Sequence, residues 1–277
     1  MKTDQSKAAF ATYFDMTLRG AVKTTRSSVR NGRILMLYSR KAVAAITAFL
    51  SLTLVGSNFF VPNFRGYDDT LLPVPLPDPL IVPAPYAFAI WGPIFIWLIV
   101  GSVWAFVKRS DDAEWHATRL PLIVSLIVGT FWLPVAVVSP LWSTVMICIM
   151  LASALVALYR SPKHNSGFGA WPIGLYAGWL SAASCVSLSV LLTGYGILTE
   201  NFSTILFLGL AIAIGFAVQW MLRRAPTYGL AVVWALIAVA VGTFGRAEVV
   251  AYLALIGALL ISLPTLRALQ FKRSGTA

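Results

Sequence analysis

Phe88, Trp91, Phe95 and Leu98 follow one another at spacings of 3, 4 and 3. On a helix this spacing gathers all four on one face, three of them aromatic. Flat aromatic faces with few polar groups suit a large, flat, apolar ligand held by stacking and shape. Trp97 and Trp104 are seven apart on roughly the opposite face, where lipid or another helix is the expected neighbour. Counted along the helices assigned below, Phe95 lies about 13 Å from one boundary, with Trp132 at about the same level. Trp179 lies about one helical turn deeper, and Tyr176 precedes it by three residues. Phe88, Trp91, Phe95, Trp132, Tyr176 and Trp179 are therefore candidates to line one cavity. Stripes of this kind also fill helical cores or face lipid, and spacing alone does not separate these readings.

Other chemistries lack their residues. Proton relays and intramembrane catalysis use ionisable groups within apolar spans, and the spans read here contain none. Arg246 and Glu248 are the closest opposite-charge pair, and both sit at a boundary, where interfacial anchoring is the simpler role. His116 and His164 fall in different connections without ligand-spaced partners, so no metal site is expected. Cys148 and Cys185 lie inside apolar runs and read as packing residues. Gly194–Gly196 reads as a helix stop, and no phosphate-cradling glycine loop occurs. The expectation is a binding protein, not an enzyme, with no catalytic residues and no metal.

The elements that must position these residues follow from composition. Of 277 residues, 58% are hydrophobic and 11% are charged, against about 25% charged in soluble domains. Apolar, charge-free runs cover 42–60, 86–107, 120–138, 141–159, 171–194, 204–222, 228–244 and 249–266. Each is long enough to cross a hydrocarbon core of roughly 30 Å as a helix. Lipid offers the backbone no hydrogen-bond partner, so a helix is required. The fold class is all-α, a polytopic bundle of about eight transmembrane helices.

Nineteen of the 21 lysines and arginines fall on one side of this threading, leaving only Arg65 and Arg246 on the other. The positive-inside rule puts the basic side, and with it both termini, in the cytoplasm. The net charge of +11 is thereby explained as topology, and nucleic acid is excluded as a partner. Residues 1–40 lack the apolar run of a signal peptide and read as a polar, basic cytoplasmic segment. The outer connection at 61–84 carries six prolines, which forbid a continuous helix and favour extended chain. Its length suggests a functional loop lying across the bundle's outer mouth. In the fifth span, Gly174, Gly178 and Ala182 form a ridge that lets a neighbouring backbone come close.

Two stretches carry a family resemblance. Pro85-Tyr86-Ala87-Phe88-Ala89-Ile90-Trp91-Gly92-Pro93-Ile94-Phe95 resembles the second-helix start of tryptophan-rich sensory proteins, bacterial relatives of the mitochondrial translocator protein (the TspO/MBR family). Tyr176-Ala177-Gly178-Trp179-Leu180-Ser181-Ala182-Ala183 is similar to that family's fifth helix. The closer likeness is to its long, divergent members. The chain departs from the core pattern in having Ser187 where Asn is usual and Ile94-Phe95 in place of Leu-Tyr.

The resemblance implies a five-helix unit at 41–194 that binds tetrapyrroles or other flat hydrophobic molecules, a porphyrin or haem-like ligand among them. Three additional helices follow at 195–268, and a cytoplasmic tail at 269–277. The function expected is ligand binding of the sensory type. A permease for a neutral apolar solute and a structural subunit of a complex remain as alternatives. The expected partners are the lipid bilayer and a hydrophobic small molecule, with a homodimer left open.

Overall fold

Eight helices among the described residues are long and apolar enough to cross a membrane, in agreement with the eight charge-free runs. The computed structural model describes residues 39–57 and 66–274. Residues 1–38, 58–65 and 275–277 lie outside it. That leaves out nearly all of the basic amino-terminal segment, the last three residues of the first expected span, and Pro62 and Arg65 of the proline-rich connection. The chain divides into two units, Met1–Ala42 and Val43–Ala277. The first is described only from Ser39, and apart from the start of the first helix everything below concerns the second.

The spans are α1 (Ser39–Ser57), α2 (Trp91–Arg109), α3 (Ala113–Ala136), α4 (Pro140–Arg160), α5 (Ala170–Gly194), α6 (Glu200–Met221), α7 (Pro226–Thr243) and α8 (Glu248–Ser274). The connections α2–α3, α4–α5 and α6–α7 share one end of the bundle, here the basic end. The proline-rich segment and the connections α3–α4, α5–α6 and α7–α8 share the other, here the loop end.

The two largest differences in helix start from the sequence reading, at α2 and α3, each have a local reason. The expected helix at 86–107 is a 3-10 turn over Pro85–Ile90 followed by α2 from Trp91. Pro93 has no N–H to give the carbonyl four residues back, and its ring crowds that carbonyl, so the chain before it tightens. Phe88 thus stands on the 3-10 turn and not on the α-helical face of Trp91, Phe95 and Leu98.

The third span begins at Ala113, seven residues earlier than expected. Asp112 caps it, its Oδ1 accepting from the N–H of Glu114 at 2.9 Å and of Trp115 at 3.3 Å. His116 is therefore helical, not in a connection. Arg119 is carried into the bundle, 3% exposed. Its guanidinium donates to the carbonyls of Ser110 at 2.8 Å and Arg109 at 2.6 Å, satisfying the orphan end of α2.

α5 packs against α2, α4, α6 and α7 and is the most buried span. Its glycine ridge faces α7: a Cβ on Gly174 would stand 2.7 Å from Thr227 Oγ1. One on Gly178 would overlap the Tyr228 carbonyl and stand 2.9 Å from the Ala231 Cβ. The seam is closed by Ser181 and Tyr228, whose hydroxyls lie 2.8 Å apart. Gly101 similarly lets α2 touch the Phe168 carbonyl.

At the loop end, the proline-rich segment is bonded to three helices. Val74 N–H donates to the Gly194 carbonyl of α5 at 2.8 Å, and Ala84 N–H to the Ala238 carbonyl of α7 at 3.0 Å. Leu80 N–H donates to Glu200 Oε1 at the start of α6 at 2.9 Å. Leu72 is buried against Gly194, where a Cβ would meet its Cδ1 at 2.6 Å. Trp234 of α7 donates to the Ala87 carbonyl at 3.0 Å and meets Tyr86 edge-on at 5.5 Å.

Candidate ligand cavity

Between the proline-rich segment and the helices beneath it lies a cavity of about 830 Å³. That falls within the roughly 300–1,000 Å³ of ligand pockets. Phe88, Trp91, Trp132 and Trp179 all line it. Trp179 meets Trp91 edge-on at 6.3 Å and Phe88 edge-on at 5.8 Å, so the rings form one continuous aromatic wall. The Trp132 indole donates to the Ser143 carbonyl at 3.0 Å, which ties its ring to α4.

The structure places the other two candidates behind this wall. Phe95 stacks on Trp91 at 5.2 Å without reaching the cavity. Tyr176 is fully buried, its ring 6.4 Å from Trp91 and its hydroxyl 3.0 Å from Ser125 Oγ. Leu98, on the same stripe, borders a separate small space toward the basic end. Trp97 and Trp104 meet protein: Trp97 donates to the Gly167 carbonyl at 2.8 Å, and Trp104 stacks on Phe168 at 4.6 Å.

Other lining residues were not read from the sequence. Phe207 and Leu208 of α6, Leu236 and Val239 of α7, and Ala182 and Ser187 of α5 also line the cavity. Tyr67, from the proline-rich segment, donates to Ser187 at 3.0 Å. The signals available were the length of that segment and the Asn-to-Ser departure at 187. Nothing in the periodicity of α6 or α7 points to the cavity.

The profile of the TSPO-like protein family matches residues 43–267. The chain belongs to that family. Searches of curated proteins and of solved structures gave no match. Family and apolar helices together make it an integral membrane protein. The match to the TSPO-like family runs past Gly194 through α6, α7 and most of α8, and α6 and α7 supply part of the cavity's lining.

In this TSPO-like chain the charged residues that line the cavity stay at its rim. Asp68, Asp78 and Arg246 border it and are exposed. Arg246 donates to the Asp78 carbonyl at 2.8 Å, while Glu248 accepts from Gly245 N–H at 2.9 Å. Each of the two is thus bonded elsewhere than to the other. At the basic end, His164 of the α4–α5 connection approaches Asp112 at 3.6 Å and Glu114 at 3.5 Å, a contact with the start of α3 that spacing did not reveal. Among the described residues no group of three or more His, Cys, Asp or Glu is placed to hold a metal. Arg224 donates to the Leu158 and Tyr159 carbonyls at the end of α4. Burial there holds its guanidinium below its ordinary value, with the Tyr159 side chain pushing the other way.

Proposed function

We propose that this protein binds a flat hydrophobic ligand of tetrapyrrole type in the cavity, as a sensory-type membrane protein acting by stacking and shape without a chemical step. The observation that carries this reading is the convergence of Phe88, Trp91, Trp132 and Trp179 on one cavity of about 830 Å³. Charged groups stay at its rim, so nothing in the aromatic wall demands a charged ligand body. Titrating the purified protein with protoporphyrin should give saturable quenching of tryptophan fluorescence. Trp91→Ala or Trp179→Ala should each weaken binding about tenfold, because each ring contributes both contact area and edge-on pairing. Quenching that never saturates, or a midpoint indifferent to both substitutions, would count against the reading.

We place both termini in the cytoplasm of a bacterial inner membrane. Lys108, Arg109, Arg160, Lys163, Arg223, Arg224 and Arg267 all flank the basic end, whereas Arg246 alone among the described lysines and arginines flanks the loop end. This is the bias that orients cytoplasmic loops. Membrane-impermeant thiol labelling of single cysteines, in a background lacking Cys148 and Cys185, should reach position 246 from outside intact cells and position 163 only after lysis. The reverse pattern would invert the topology.

A further inference from the structure

We infer that Ser187 is a specificity-determining hydrogen-bond donor of the cavity, selecting ligands that carry an acceptor oxygen, such as a ring ketone, on the flat apolar body. The inference deepens the binding reading above and rests on it. Ser187 is 6% exposed and lines the cavity from α5. Its oxygen accepts the Tyr67 hydroxyl proton at 3.0 Å. Tyr67 in turn accepts from Ser143 Oγ at 3.1 Å. Thr144, 3.4 Å from Tyr67, gives its own proton to the Pro140 carbonyl at 2.7 Å and has none to offer the chain. Ser143 has the Pro140 carbonyl and Tyr67 as acceptors at the same 3.1 Å, so the relay proper runs from Tyr67 to Ser187.

A hydroxyl has one proton to give. Ser181, earlier on α5, returns its proton to the Ala177 carbonyl at 2.9 Å. Ser187 makes no such bond, and its proton has no acceptor among the described residues. An unspent donor in an apolar wall is costly to leave unmade. Bonds arranged head to tail polarise one another, so the last donor of the relay is strengthened. A ligand oxygen placed against α5 completes the relay, and a hydrocarbon of the same shape leaves it open.

Fluorene and fluorenone are a matched pair that differ by one carbonyl. Both are titrated into the full-length protein in detergent and compared by the midpoint of tryptophan quenching. The wild-type preference for fluorenone should exceed that of Ser187→Ala by about three- to tenfold. Comparing variants cancels partition into the micelle. Ser187→Thr, which keeps a hydroxyl at this position, should keep the preference. A preference that survives Ser187→Ala overturns the assignment and leaves the cavity reading standing. Absence of saturable fluorene binding in the wild type overturns both.

Discussion

Gly178→Leu should cost this protein its folded state, while Gly209→Leu should be silent. A side chain at 178 has nowhere to go: its first carbon would overlap the Tyr228 carbonyl and press on the Ala231 Cβ at 2.9 Å. Both obstacles belong to α7, one of them backbone, so no rotamer change relieves the clash. The helices must part, breaking the Ser181–Tyr228 hydroxyl contact and opening the seam that seats Gly174 on Thr227. Overpacking a filled interior costs about 1–3 kcal/mol. Here the loss exceeds that range, because close backbone approach is what drives helix association where lipid is as apolar as the side chains. At Gly209 on α6, an added Cβ would meet nothing within 4 Å, which makes this position the control. Fluorescence-detected size exclusion and melting in detergent would decide. A Gly178→Leu protein that elutes and melts like the wild type would show that α5 and α7 are not locked in this way.

A second large effect should come from α7 itself. Ala235 is 3% exposed and lines the cavity. Ala235→Phe places a ring in the space a ligand would occupy, and protoporphyrin affinity should fall at least about tenfold, a difference of roughly 1.4 kcal/mol. Melting should stay close to the wild type, because the cavity has volume to receive the ring. Leu230→Phe, on the exposed side of the same helix, should leave binding unchanged. Undiminished binding in Ala235→Phe would place the ligand somewhere other than this cavity.

The eight spans were readable because lipid imposes a crude requirement, length without charge, that each run meets by itself. Trp91, Trp132 and Trp179 were legible as neighbours from period and depth, whereas Phe88 borders the same cavity from a 3-10 turn that the period did not show. Phe95 and Tyr176 shared that period but were placed behind Trp91, a distinction of tens of degrees in helix rotation that neighbours decide. The ridge of Gly174 and Gly178 announced a close partner without naming it, because a small-residue stripe carries no address. Tyr67, Ser187, Phe207, Leu236 and Val239 depend on where a proline-rich segment and two later helices come to rest. Those positions arise from contacts far apart in sequence, and periodicity within one element does not encode them. The shift of α3 to Ala113 was legible in hindsight from Asp112, whose capping role outweighs the polar character of the turn that follows.

The glycine seam also bears on modularity. A chain cut after Gly194 would turn the bare backbone groove of α5 toward acyl chains, with nothing to fill the notches at Gly174 and Gly178. The aromatic chamber would lose one flank and become a cleft open to the hydrocarbon phase. For this sequence α6 and α7 are thus part of the chamber's own lining, and a shortened version would lack those surfaces.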